Sequence, residues 1–490
     1  MKNTRRRSIG VIFLILFFLG GLSVLTLKLI TNANEWALSS FNRHLSGMAL
    51  SGSGKIIDCN DVVLAQSIDN KRVYNSDEKV RKALLHTVGD GTTHISTSVQ
   101  NLYRAELYGY NFITGVNCPH FLNSCRNVKL TVDSSICKLA LEKLGSSKGA
   151  VAVYNYKTGE ILCIVSAPNY DPNNPPVIKD NAGENYDGVY LNRVLSSAYT
   201  PGSTFKIITS ACALENLGKD LQNKSFNCEG QEKISGGNIT CLSHHGNIKY
   251  KNAFANSCNI YFANLAIELG KDKMAETTKK LGFDKSYKIN KIQTKPSKYD
   301  VTKASDYDLG WSGVGQYNDL VNPMHMLMLM GAVANKGMAV VPKLIKEIKS
   351  DKAIDLFSES YDKVETVEFM KESTAQELKD VMRYAVQSHY GDSLFKGLQV
   401  CAKTGTAEVG ENKSPHAWMV GFSSDEKVPL AFVVVSENSG FGIQSAAPIA
   451  KAVMQRQQKN LNRKICNLQQ ILIIYSLQFD KTEKLYYNII

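Results

Sequence analysis

From Ile9 to Leu27 the chain is almost entirely apolar and carries no charge. Nineteen residues at about 1.5 Å each reach about 28 Å, close to the ~30 Å thickness of a hydrocarbon core and within the roughly 17–25 residues that spanning helices use. In lipid every backbone N–H and C=O must be satisfied within the segment, so such a stretch can only be a helix. Lys2, Arg5, Arg6 and Arg7 precede it, which predicts a cytoplasmic N-terminus for residues 1–8 and a transmembrane anchor over 9–30. The competing reading is a cleaved signal peptide. No clean small-x-small site lies between Lys28 and Ser40, which favours an uncleaved anchor. No other stretch reads as a span, so the rest of the chain is expected to be extracytoplasmic.

A chain of 490 residues is long for one core, and two or more domains are expected. Four of the +12 net charges sit at the N-terminus and the rest are dispersed. Charge alone is compatible with nucleic acid, but no recognition motif or aromatic–basic ladder accompanies it. An anionic membrane or wall would favour the same balance. The 11 cysteines are an odd number and cannot all pair. Cys228 and Cys241 flank one polar loop, and Cys118 and Cys125 another; each pair could close a short disulfide, and free thiols fit as well. No C-x-x-C or His/Cys cluster shows zinc spacing, and His244-His245 lacks a matching glutamate motif, so no metal site is expected.

Residues 31–127 are weakly patterned. From Val128 the signals sharpen: a strand to Val132, a helix over Ser134–Leu144 closed by Gly145, then strands over Ala150–Tyr156 and Ile161–Ser166 joined by a Lys157-Thr158-Gly159-Glu160 turn. Helical periodicity returns over Asn259–Leu269, Met274–Leu281, Pro323–Asn335 and Thr374–Ser388. Three strand-like runs follow at Val400–Thr406, Ala417–Phe422 and Leu430–Ser436, and a last helix covers Ala446–Asn460. Two strands early and three late, with helices between, predict an α+β fold: one five-stranded antiparallel sheet with helices on both faces. The tail, 461–490, departs in character and is expected to be peripheral.

Within this pattern one stretch carries chemistry. Pro201-Gly202 is a turn signal, and Ser203 opens an apolar helix expected to reach Asn216, with Gly218 as its cap. Ser203 and Lys206 are three apart and share a helix face. A serine hydroxyl needs a base, and an amine serves if burial or a second cation lowers its pKa. The spacing alone is weak, because Ser76–Lys79, Ser135–Lys138 and Ser360–Lys363 match it too. Ser257-Cys258-Asn259 and Lys403-Thr404-Gly405-Thr406 follow in order. Singly these are also weak: S-x-N recurs at Ser40–Asn42 and Ser436–Asn438, and K-T-G in the hairpin turn at Lys157–Gly159.

Taken in order, Ser203-x-x-Lys206, Ser257-x-Asn259 and Lys403-Thr404-Gly405 resemble the triple signature of serine penicillin-binding proteins and their β-lactamase relatives. Further landmarks are similar to that family: Leu130–Asp133, Thr158–Leu162, Asn169–Asn173, Asn192-Arg193, Gly315-Gln316, Asn322-Pro323 and Ala334–Gly337. The chain is identified as a member of the class B penicillin-binding proteins, with a transpeptidase domain over 128–460 and a non-catalytic pedestal over 31–127. Gly54–Ala65 resembles the pedestal motif, but Ser53 and Cys59 stand where arginines are usual and Asp61 where glycine is. The hundred or so residues before Val128 are too few for the glycosyltransferase domain of class A proteins.

The resemblance implies a serine D,D-transpeptidase of peptidoglycan, with D,D-carboxypeptidase as a side activity and no cofactor or metal. It assigns Ser203 as nucleophile, Lys206 as base, Ser257 as proton relay and Asn259 as a substrate backbone contact. Lys403, Thr404 and Thr406, around Gly405, would bind the terminal carboxylate that β-lactams imitate. The oxyanion hole would be the N–H groups of Ser203 and Thr406. Implied partners are stem peptides (a D-Ala-D-Ala donor and an amine acceptor), the membrane and a lipid II glycosyltransferase, with no nucleic acid. Two other readings stand beside it: a β-lactam-hydrolysing or -sensing protein, for which no deacylating base or multi-span region is found, and a catalytically silent wall-synthesis scaffold. For single residues the bland readings are a loop serine at 257, a helix cap at Asn259 and a strand-edge lysine at 403.

Overall fold

The computed structural model describes residues 2–37, 53–69, 71–92, 94–108, 125–178, 186–350, 358–410 and 413–463. Ser40–Asn42, Cys118 and the tail from 464 lie outside the described residues. Lys2–Ala37 is one helix, and its Arg7–Leu29 stretch, with mean hydropathy 2.6, is long and apolar enough to cross a membrane. Every residue from 7 to 29 is exposed, leaving a continuous apolar surface that no protein core covers among the described residues. An apolar helix of this kind fits a membrane anchor.

The chain divides into two compact units. The first gathers Met1–Ser76, Thr87–Leu130 and Ile345–Tyr361. Its sheet runs in the order Glu359–Ser360, Ile345–Lys349, Asn127–Leu130, Ile56–Ile57, Val63–Ile68, Lys71–Tyr74. The turn after Ile57 is held by the buried Asp58 carboxylate, which accepts N–H bonds from Asn60 (2.8 Å) and Val62 (2.9 Å). Asp61, in the position where the resemblance expects glycine, has φ of +64°, a conformation aspartate tolerates better than most residues. It pairs with Lys129 at 2.6 Å. Ser53, standing in place of an arginine, receives an Arg72 Nη1 bond at 2.8 Å, and the same nitrogen reaches the Gly54 carbonyl. Cations supplied from other strands thus serve a turn whose own arginines are absent.

The second unit comprises Asp77–His86, Thr131–Leu344 and Asp362–Ile490. Its sheet contains β1 (Gly149–Asn155), β2 (Ile161–Ala167), β3 (Val400–Ala407), β4 (His416–Ser423) and β5 (Leu430–Ser436), in the spatial order β3-β4-β5-β1-β2 and antiparallel throughout. All seven residues of β5 and the first six of β1 are buried, so these strands are covered on both faces and read as apolar runs, not alternations. Pro323–Ala334 packs on β1, β4 and β5; Ser134–Leu144 packs on β2, and Glu372–Ala385 on β3. The final helix, 442–463, is longer than periodicity suggests. The two helical signals after Asn259 are two helical segments within Asn259–Lys280, separated as periodicity suggests where Gly270 leaves the helical conformation with φ of +81°.

Several landmark residues turn out to be scaffold. Asn322 caps Pro323–Ala334 by accepting from His325 N–H, and its Nδ2 donates to the carbonyls of Leu195 (3.1 Å) and Ser197 (2.6 Å). Arg193 pairs with Glu437 at 2.7 Å, with both side chains largely buried and Tyr199 Oη donating to the same carboxylate oxygen. Asp171 receives Arg81 through two bonds of 2.8 and 2.6 Å. Helix Pro323–Ala334 comes close to β1 because Gly331 offers no side chain: a methyl there would collide with the Tyr154 hydroxyl. That hydroxyl is buried and unpartnered. Gly331→Ala should therefore cost roughly 1–3 kcal/mol in denaturant unfolding. Tyr154→Phe, which removes the colliding atom and loses no hydrogen bond, should recover part of it in the double variant.

Candidate active site

The Ser203 stretch begins with a short 3-10 turn, Gly202–Phe205, and continues as the helix Lys206–Leu217, capped by Gly218 at φ +54°. Residues 206–214 are all buried, as expected of a helix apolar on every side. Gly202 has φ of +52°, and a Cβ there would strike the Thr406 carbonyl of β3. At Gly405 a Cβ would lie 2.9 Å from the Pro201 carbonyl. Glycine at both positions lets the Ser203 turn and the K-T-G strand touch backbone to backbone. Gln316 Nε2 reaches the Thr406 carbonyl at 3.3 Å, and Trp418 Nε1 the Thr200 carbonyl at 3.0 Å, so both flanks of this contact are held.

Ser257 lies in the turn between helix Tyr250–Ala255 and helix Asn259–Lys280, with φ of +56°. The N-cap of the second helix is Cys258, not Asn259, so the Asn259 side chain is free for other partners. Its Nδ2 donates to the Thr240 carbonyl at 2.8 Å, which orients the amide and turns Oδ1 to Lys206.

Lys206 and Lys403 are both fully buried. Lys206 Nζ lies 2.6 Å from the Ser257 carbonyl, 2.8 Å from Asn259 Oδ1, 3.0 Å from Ser203 Oγ and 3.1 Å from Ser257 Oγ. The first two are acceptors only. A neutral amine has two N–H bonds and one lone pair; with both N–H bonds spent on those carbonyls, the lone pair is left for a hydroxyl proton. Burial first, and the neighbouring Lys403 charge second, push the Lys206 pKa well below the ordinary lysine range. Lys403 Nζ donates to Ser257 Oγ at 3.0 Å, so this hydroxyl bridges the two amines. Burial lowers Lys403 to about 7. The lysines of the competing S-x-x-K matches behave as ordinary surface groups: Lys79 pairs with Glu142, Lys138 with Asp77, and Lys363 is exposed. Lys157 of the second K-T-G reaches Asn335 in an exposed contact.

Ser203, Ser257, Asn259, Thr404 and Thr406 line one cleft of about 590 Å³. The fold also brings in Tyr390, which sequence reading did not single out. Its hydroxyl accepts from Thr404 N–H (3.2 Å) and Thr404 Oγ1 (3.1 Å), with Lys403 Nζ at 3.5 Å. Tyr390 ends a π-helical turn, Val386–Tyr390, a local irregularity that no periodicity predicts. Four further side chains converge beside Ser257, those of Cys228, Cys241, His245 and Cys258. Their sulfurs are unbonded, so the Cys228–Cys241 disulfide considered from sequence is not formed.

The penicillin binding protein transpeptidase domain family matches residues 149–455. The chain is 28% identical over 359 residues to peptidoglycan D,D-transpeptidase PbpA of Mycolicibacterium smegmatis, covering 67% of this chain and 72% of that protein. To stage V sporulation protein D of Bacillus subtilis it is 29% identical over 356 residues, covering 67% of this chain and 53% of that one. The D,D-transpeptidase domain of a peptidoglycan glycosyltransferase from Eggerthella lenta superposes with a TM-score of 0.71 at 25% identity, over 86% of this chain and 100% of that one. The ceftriaxone acyl-enzyme of penicillin-binding protein A from M. tuberculosis shares the fold, with a TM-score of 0.71 at 23% identity over 84% and 99% of the two chains. With the family matched across most of its second unit and the three motifs gathered around one buried pair of lysines, the chain belongs to the class B penicillin-binding proteins.

Proposed function

We propose that this chain is a peptidoglycan D,D-transpeptidase working through a Ser203 acyl-enzyme. The observation that carries the reading is the Lys206 amine, buried and 3.0 Å from Ser203 Oγ, with its N–H bonds directed to two carbonyl acceptors. Lys206 would take the Ser203 proton as Oγ attacks the penultimate D-Ala carbonyl of a donor stem peptide. The oxyanion would be held by the N–H groups of Ser203 and Thr406, each preorganised donor contributing roughly 3 kcal/mol. Ser257, between the two lysines, would pass a proton to the departing D-Ala amine. Lys403, Thr404 and Thr406 would bind the terminal carboxylate, and the remaining Asn259 N–H would meet the substrate backbone. An amine from a second stem peptide then displaces Ser203 and completes the cross-link; water in its place would give carboxypeptidation. A β-lactam enters by the same attack and leaves a stable acyl-enzyme.

The basic N-terminus would lie in the cytoplasm, with a pedestal over 31–127 and the transpeptidase domain over 128–460 outside it. A lipid II glycosyltransferase would supply the glycan strands that this activity cross-links.

Labelling with a fluorescent penicillin should give a long-lived adduct that Ser203→Ala abolishes. Rapid turnover of the adduct would instead indicate a hydrolase, and absence of labelling would overturn the catalytic reading. The pH profile follows from the two lysines. Acylation needs neutral Lys206, so the rate should rise with pH through an acid limb far below the usual lysine pKa of 10.5. Carboxylate binding needs charged Lys403, so the second-order rate should fall again above about 7. The saturated rate should fall only at higher pH, because a bound carboxylate favours the protonated amine. A single limb near 10 would exclude Lys206 as base. Tyr390→Phe removes the acceptor of Thr404 and should slow acylation roughly 5–30-fold, with the loss in apparent affinity for carboxylate-bearing β-lactams.

A further inference from the structure

Cys228, Cys241, His245 and Cys258 stand at C-x12-C-x3-H-x12-C, a spacing that announces nothing along the chain. In the fold, their ligand atoms all lie within 4.8 Å of one another. Cys228 Sγ is 3.4 Å and Cys241 Sγ 3.6 Å from His245 Nδ1. A tetrahedral zinc ion with Zn–S of about 2.3 Å and Zn–N of about 2.05 Å requires S···N edges of about 3.6 Å. The observed distances match that edge. We propose that these four residues form a closed Cys3His zinc site that holds the Ser257-Cys258-Asn259 turn in place.

Three features of the surroundings support the assignment. Two sulfurs receive backbone N–H bonds, Cys258 from Tyr261 (3.4 Å) and Cys241 from Asn259 (3.4 Å), at the start of helix Asn259–Lys280, where thiolate charge is favoured. The segment carrying three of the ligands has almost no core of its own. It consists of four-residue strands in two separate two-stranded sheets, Ser225–Cys228 with Gly246–Lys249 and Gln231–Ile234 with Gly237–Thr240, in which only Cys228, Ile239 and Ile248 are buried. Such hairpins are marginal in water, and small units of this kind are commonly secured by a metal or a disulfide. Finally, Cys228 and Cys258 are fully buried although they come from the loop and from the catalytic turn, so the cluster is where the two are tied.

All four positions of a tetrahedral ion are taken by protein, which suits a structural site and leaves none for substrate. Binding displaces the three thiol protons to solvent as the zinc–thiolate bonds form. The consequence for the reaction is positional. Cys258 separates Ser257 from Asn259, and Cys241 Sγ accepts the Asn259 N–H, so a metal here fixes the two side chains that face Lys206.

The detergent-solubilised full chain, purified under reducing conditions, should retain about one zinc per chain by elemental analysis. Cys228→Ser and His245→Ala should lower that occupancy, while Ser203→Ala should keep it, separating the metal site from the acylation reading. In case the ligand variants do not fold, cobalt added to the metal-free wild-type chain should give thiolate-to-cobalt charge transfer and tetrahedral d–d bands saturating at one equivalent. Removing zinc should slow penicillin acylation roughly 10-fold or more, and returning it should restore the rate. A chain that holds no zinc and shows no such cobalt spectrum, or that carries a Cys228–Cys241 disulfide by mass, would overturn the site. Full acylation by the metal-free chain would overturn its hold on Ser257.

Discussion

Two lysine amines share one hydroxyl in the interior of this protein. An isolated buried ammonium is costly, and burial pushes the pKa of both Lys206 and Lys403 below the ordinary lysine range. Their burial is tolerated because each Nζ is surrounded by oxygens: the Ser257 and Asn259 carbonyls and two hydroxyls for Lys206, Ser257 Oγ and the Thr404 carbonyl for Lys403. Most of the second unit can be understood as what is needed to keep those oxygens in place.

The means are backbone contacts with no slack. Gly202 and Gly405 let the Ser203 turn meet β3, and Gln316 and Trp418 hold the two sides of that meeting. Farther out, Asn322 binds a helix end to the Leu195–Ser197 segment, and Arg193–Glu437 joins that segment to the end of β5. These residues touch no reacting atom. Their polar groups are buried, and each would be expensive to leave unpaired, so each position accepts few substitutes.

The Ser257 turn is held from the opposite side by a segment of a different kind. The hairpins between Ser225 and Lys249 carry only a thin apolar layer, with Ile239 and Ile248 buried and Phe226 edge-on to Tyr261, besides backbone bonds such as His245 N–H to the Cys228 carbonyl at 3.0 Å. Positive φ at Ser257 is a strained conformation for serine and persists only where the surroundings fix it. A rigid β3 and a metal-tied loop would clamp the same hydroxyl from two directions.

How much of this could be read from the residues alone depends on the range of the interactions. The anchor, helix Ser134–Leu144, the five strands and the choice of Ser203 among four S-x-x-K matches follow from periodicity, turn chemistry and motif order, which are local or sequential signals. Periodicity also separates the two helical segments on either side of Gly270, whereas the π turn at Val386–Tyr390 hides Tyr390 from any helical register. What only the tertiary structure decided are contacts between residues far apart in sequence. Ile345–Lys349 pairs with Asn127–Leu130 in the first unit. Asn259 turns to Lys206 because Thr240 fixes its amide, and four unremarkably spaced residues become one cluster. Spacing along a chain constrains distance in space only within an element; beyond it, which side chains meet is set by packing, and packing is absent from the sequence until the chain has folded.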